Sequence, residues 1–168
     1  AGMTGGDALV EVLNGTVNLS GKLTDTWPVN FDDNPSSEGF ANQDGNTAQE
    51  LYNDDIFVGY RYYDTFGVDV SYPFGYGGSY TSFAMSTKSV KADKDKVTVQ
   101  VKVKNTGTVS GKEVAEVYFS APDGELDKPY QELAGYAKTD ELAPGESQIL
   151  TISFDTKEMG SYDTDKAA

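Results

Sequence analysis

In the second half of the chain, apolar and polar residues alternate with a period of two. The stretch VTVQVKVKN puts Val97, Val99, Val101 and Val103 on one face. AEVYF does the same with Ala115, Val117 and Phe119, and QILTISF with Leu150, Ile152 and Phe154. Successive side chains of a strand point to opposite faces, so this pattern predicts strands covered on one side and wet on the other. Between them lie NTGTVSG, APDGELDKP and LAPGES, rich in the residues that turns use, with Pro144-Gly145 suited to a type II turn. Short strands at this spacing predict an antiparallel β-sandwich of about 75 residues.

The first half has a different texture. In GGDALVEVLNG, Ala8, Leu9, Val12 and Leu13 recur at helical spacing, Asp7 lies in the first turn and Asn14-Gly15 forms a stop, which predicts a short amphipathic helix from Gly5 to Gly15. From Thr16 to Glu50 the chain is polar and broken by Gly, Pro, Asn and Asp, and reads mostly as loop with a short strand in GKLTDTWP. IFVGYRYY, residues 56–63, is dominated by β-branched and aromatic residues and predicts a strand, with Ile56, Val58, Tyr60 and Tyr62 on one face and Phe57, Arg61 and Tyr63 on the other. One helix and one or two strands cannot bury their apolar faces alone, so the first 80 residues read as an incomplete domain.

Between the halves, YPFGYGGSYTSF packs five aromatic side chains and three glycines into residues 72–83. Large rings beside a permissive backbone predict a tightly packed joint, with Tyr72, Phe74, Tyr76, Tyr80 and Phe83 buried in it.

Composition narrows the chemistry. A content of 38% hydrophobic and 12% aromatic residues in 168 places the chain among folded proteins. The formal charge of -14 repels nucleic-acid phosphates and anionic lipid headgroups, which argues against nucleic-acid and membrane partners. With no cysteine and no histidine, thiolate and imidazole metal sites, cysteine nucleophiles and Ser-His-Asp triads are excluded. No apolar run approaches the length of a membrane span, and the first residues lack the basic and apolar regions of a targeting segment, which leaves localisation open between cytoplasm and secretion. The opening AGMTGG reads as the interior of a longer protein.

Carboxylates, Arg, Lys and Tyr remain as candidates. Asp32-Asp33 and Asp54-Asp55 are the paired carboxylates, but both lie in polar loop sequence, where a solvated role is expected. In GYRYYD, Arg61, Tyr63 and Asp64 are candidate substrate-binding residues, able to hold a sugar through hydrogen bonds and ring stacking; the structural alternative is a core strand with Arg61 held by an ion pair and a cation-π contact. FANQDGNTAQEL fails as a calcium loop, because aligning Gly45 with the required glycine puts Phe40 and Leu51 at the first and last ligand positions. No metal or cofactor is called for. The triplets NGT at Asn14 and NLS at Asn18 fit the glycosylation sequon, a pattern common by chance.

Four stretches in order, GGDALVEVLNGTVNLSGKLTDTWP, IFVGYRYYDTFGVDVSYPFGYGGSYTSF, VKVKNTGTVSGKEVAEVYFSAP and ELAGYAKTDELAPGESQILTISF, resemble glycoside hydrolase family 3 over nearly the whole chain. The resemblance implies a mainly β fold. Residues 1–80 would be the C-terminal part of the family's α/β sandwich domain, and 81–168 its fibronectin type III-like β-sandwich. It further implies that the parent is a retaining exo-acting β-glycosidase, most often a β-glucosidase. The nucleophile would sit on a TIM-like barrel and the acid/base residue in the upstream α/β sandwich, so this chain would lack both catalytic carboxylates and be inactive alone. The partners implied are that barrel, the rest of the α/β domain and a β-glucoside or oligosaccharide substrate. Two residues depart from the family pattern: Gly78 stands where the family usually has Leu, and Leu19 where it usually has Pro. The rival readings are a stand-alone carbohydrate-binding or adhesion module and, less well supported, a structural spacer.

Overall fold

The computed structural model describes residues 2–40, 45–49, 52 and 54–166. The chain divides into two compact units that interleave along the sequence. One comprises Ala1–Lys22, Gly77–Val117 and Ala134–Glu158, the other Leu23–Tyr76, Tyr118–Leu133 and Met159–Ala168.

The core of the first unit follows the alternation read from the sequence. Strands β3 (Phe83–Ala92), β4 (Lys96–Asn105) and β7 (Ser147–Asp155) form an antiparallel sheet in the order β3-β4-β7. The register sets Val97 opposite Phe154, Val99 opposite Ile152 and Val101 opposite Leu150, so the apolar faces of both strands coincide. All six are buried, as is Val103. At about 1.5–3 kcal/mol for each fully buried aliphatic or aromatic side chain, this stripe dominates the unit's stability. Strands β5 (Val114–Phe119) and β6 (Glu132–Lys138) pair with each other. Gly135 of β6 lies so near β7 that a Cβ on it would stand 3.0 Å from Ile152 Cγ2, which brings the two sheets of the sandwich face to face. Ala115 of β5 is buried.

Strand β3 lacks a clear alternation, and the structure gives a reason. Its pairing with β4 slips between Thr87 and Ser89, and it forms an edge of the sheet with Met85 and Val90 exposed. An edge strand covered on neither face needs no two-residue repeat.

The predicted N-terminal helix is present as α1 (Gly5–Leu13) and ends at Asn14. None of its residues is buried, and Leu9, Val10 and Leu13 are exposed. Asn18, in the second sequon, is a structural residue: its Nδ2 donates to Ser110 O at 2.9 Å, and its Oδ1 accepts from Tyr80 N at 2.8 Å and Ser79 Oγ at 3.2 Å.

In the second unit, Trp27–Pro28 (β1) pairs with Val70–Tyr72 (β2), a 3₁₀ turn spans Phe31–Asp33, and α2 runs from Tyr60 to Phe66. Within GKLTDTWP only Trp27 and Pro28 are extended as a strand. The strand expected over 56–63 is not formed. Gly59, with φ +58°, turns the chain into α2, and Gly67, at φ +64° and ψ +37°, ends it with a left-handed residue. Aromatic residues that suggested a strand pair along the helix instead, with Tyr62 and Phe66 centroids 5.2 Å apart one turn on.

The expected burial of the linker rings is also corrected. Phe74 and Phe83 are half-buried, but Tyr72, Tyr76 and Tyr80 are exposed by 42%, 47% and 48%. Tyr72 stacks at 4.7 Å on Tyr76 and meets Trp27 edge-on at 6.2 Å, while Tyr80 Oη donates to Val12 O at 2.8 Å. Each ring has an amphipathic place at the surface rather than a dry one.

Candidate functional site

Helix α2 carries all three candidate residues of GYRYYD, and the segment 130–133 runs beside it. Tyr130 N donates to Thr65 Oγ1 at 2.9 Å, Gln131 Nε2 to Asp64 Oδ2 at 2.8 Å, and Leu133 N to Tyr60 Oη at 2.8 Å. Glu132 Oε2 pairs with Arg61 Nη2 at 3.2 Å. Four consecutive residues thus meet four side chains of one helix.

The helix separates the three candidates. Tyr63 is buried, and its hydroxyl donates to Asn34 Oδ1 at 2.6 Å. Burial pushes its pKa up, and the charge of Asp33 and then the neighbouring Tyr62 add to the effect. Asp64 is exposed and engaged by Gln131. Arg61 is half-exposed, with its guanidinium carbon 5.8 Å from the centroid of Tyr60. The expected ion pair and cation-π contact are therefore both present, on a helix instead of a strand. Arg61 Nε is buried with no acceptor among the described residues.

Arg61 lines a cavity of about 500 Å³ within this unit. Its walls come from Asp55 and Ile56 ahead of α2, from 126–132 and from 160–164. Arg61, Asp55, Asp127 and Glu132 supply charge, Leu126 and Tyr162 apolar surface. Asp55 has φ +50°, the only positive φ outside glycine among the described residues. Sequence reasoning weighed Asp55 but missed Asp127, Glu132 and Tyr162, because three segments separated by tens of residues converge here and no local motif announces it.

The other carboxylate pair has a local role. Asp33 Oδ2 accepts from Asn30 N at 2.7 Å and Asn30 Nδ2 at 3.2 Å, a capping box on the 3₁₀ turn, and Asp32 is exposed. Among the described residues no group of three His, Cys, Asp or Glu side chains could hold a metal ion. Half of the stretch tested as a calcium loop, 41–44 and 50–51, lies outside the described residues. No described helix is long and apolar enough to cross a membrane.

Residues 1–80 match the glycosyl hydrolase family 3 C-terminal domain, and residues 113–168 match the fibronectin type III-like domain. The chain carries the C-terminal region of glycoside hydrolase family 3. It is 48% identical over 163 residues to a β-glucosidase of Ruminococcus albus, covering 96% of this chain and 17% of that protein. To the thermostable β-glucosidase B of Acetivibrio thermocellus it is 41% identical, covering 95% of this chain and 21% of that one. Among solved structures it is similar to β-glucosidase 3B of Thermotoga neapolitana in complex with glucose, with a TM-score of 0.92, 44% identity and coverage of 97% of this chain and 23% of that one. It is also similar to the Kluyveromyces marxianus β-glucosidase in complex with glucose, with a TM-score of 0.89, 39% identity and coverage of 96% and 19%. The chain therefore spans about a fifth of the length of these family 3 relatives.

Proposed function

We propose that the chain is the architectural C-terminal part of a retaining exo-acting β-glucosidase whose catalytic carboxylates lie in chain beyond it. The observation that carries this reading is the match to β-glucosidases along 96–97% of the chain at 44–48% identity, while only 17–23% of each relative is spanned. Residues 1–80 would back the wall of the active site as the end of the α/β sandwich, and 81–168 would buttress it as the fibronectin type III-like domain. The substrate of the parent would be a terminal β-linked glucoside.

The carboxylates present support an accessory role. A retaining glycosidase needs two carboxyl groups roughly 5–5.5 Å apart across the scissile bond, one with a raised pKa. Asp33 is committed to its cap, and Asp54 and Asp55 are neighbours in a turn. The test is hydrolysis of an aryl β-glucoside and an aryl β-xyloside by the purified chain and by the same chain joined to the remaining family 3 domains. The isolated chain is expected to show no turnover and the joined protein to prefer the glucoside. Turnover by the chain alone would overturn the accessory role.

A stand-alone glycan-binding module is the second reading, favoured by the exposed cluster of Trp27, Tyr72 and Tyr76. Those rings meet at 77° and 47° and so do not make a flat stacking platform. Trp27 is the only tryptophan, so its fluorescence during titration with cello-oligosaccharides reports directly on that cluster.

A further inference from the structure

We propose that the cavity beside Arg61 is a binding site for a neutral pyranose. Its volume of about 500 Å³ lies within the roughly 300–1,000 Å³ typical of small-molecule sites. The lining then selects the ligand class by elimination. Asp55, Asp127 and Glu132 outnumber the single guanidinium, so an anion meets net repulsion inside a chain already at -14. A metal ion lacks a suitable donor cluster among the described residues. A flat aromatic ligand would leave the carboxylates facing apolar surface without partners.

A sugar ring satisfies both kinds of wall. Its hydroxyls are donors and acceptors at once, and vicinal pairs match the two-pronged geometry of a carboxylate or a guanidinium. Arg61 spends Nη2 on Glu132, and a guanidinium carries five N–H donors, so this one pairing leaves donors over on a side chain that lines the cavity. Leu126 and Tyr162 offer apolar surface for the C–H face of a pyranose. Asp55 adds a carboxylate held in a left-handed backbone, a conformation that persists only where its surroundings impose it.

The β-glucosidase reading enters only in the choice of glucose and cellobiose as the first probes. The experiment is a two-dimensional amide NMR titration of the whole chain with glucose, cellobiose, xylose and galactose, each to about 100 mM, which detects any Kd below roughly that value. Saturable shifts are expected at Asp55, Arg61, Leu126, Asp127 and Tyr162. Asp127→Ala and Tyr162→Ala, both at exposed positions that leave the fold intact, are expected to weaken binding about tenfold. Saturation by xylose or galactose and not by glucose would support the pyranose site while counting against a glucoside as the parent's substrate. No saturation by any of the four sugars, shifts confined to Trp27, Tyr72 and Tyr76, or unchanged affinity in both variants would overturn the site. None of those three results bears on turnover by the joined protein.

Discussion

Leu19 packs against the backbone of Gly78, so closely that a Cβ added to Gly78 would stand 3.1 Å from Leu19 Cδ1. These are the two positions at which the chain departs from the residues expected of family 3, Leu at 78 and Pro at 19. A leucine at 78 would compete for the space that Leu19 fills, so the two departures are expected to act as one local exchange. Gly78→Leu alone is expected to overpack this contact and cost about 1–3 kcal/mol. With Leu19→Pro added, much of that loss should return, giving a coupling energy of about 1 kcal/mol or more in a double-mutant cycle of urea unfolding. Simple additivity would mean that the two positions do not compensate.

Asn105 is fully buried at the end of β4, and every hydrogen-bonding capacity of its side chain is used. Nδ2 donates to Val109 O at 2.8 Å and Leu142 O at 2.9 Å, and Oδ1 accepts from Thr81 Oγ1 at 2.7 Å and Gly107 N at 3.0 Å. Removing it takes the amide partner from Val109 O and Thr81 Oγ1, while Leu142 O still accepts from Gly111 N at 3.1 Å and Gly107 N still donates to Ser82 O at 3.3 Å; each group left unpaired costs about 1–3 kcal/mol. Asn105→Ala should therefore lower stability by about 2 kcal/mol or more, seen as a shift of the urea midpoint at constant slope. A loss under about 1 kcal/mol would show that water replaces the amide.

How much of this was legible in the sequence depended on whether a constraint was local. Val97 to Val103 and Leu150 to Phe154 announced themselves, because a strand buried on one face must alternate. The segment 56–63 was misread because its composition favours strands, while the decisive residues are Gly59 and Gly67 at the ends of α2. Their spacing, with Tyr62 and Phe66 one turn apart, was the available signal. Nothing local marks Asn105, whose partners lie at 81, 107, 109 and 142, nor the cavity at Arg61, assembled from three distant segments.

The β3–β4 turn should respond to acid through Asp93. Its Oδ1 accepts from Asp95 N and Lys96 N, each at 2.9 Å, and these two backbone hydrogen bonds hold its pKa below the ordinary 3.8, with the charge of Lys96 adding to the effect. A carboxyl depressed in the folded state stabilises it in full above the ordinary value, and the contribution disappears as pH falls through the lowered one. In urea unfolding from pH 6 down to about 2, the advantage of the wild type over Asp93→Asn should be constant at the upper end and vanish at the lower. A constant difference down to the acid limit would mean that Asp93 is not stabilised as the anion.

Asp55 tests whether stability and binding are opposed at the cavity. Its φ of +50° costs an L-residue roughly 1–2 kcal/mol, although aspartate tolerates that region better than most. Glycine removes the strain and adds a loss of roughly 0.5–1 kcal/mol from a freer unfolded chain. Asp55→Gly should then gain a few tenths to about 1 kcal/mol, whereas Asp55→Ala keeps the strain without the tolerance that aspartate has for this region, and should lose a similar amount. Opposite signs in a thermal melt are the expected result, and equal signs would mean that backbone strain does not govern the position. If the carboxylate also holds a pyranose hydroxyl, both variants should bind glucose about tenfold more weakly, so that the glycine variant is more stable and less able to bind. Evolution would then have kept a strained aspartate, where glycine fits the backbone better, for what its side chain contributes to the cavity.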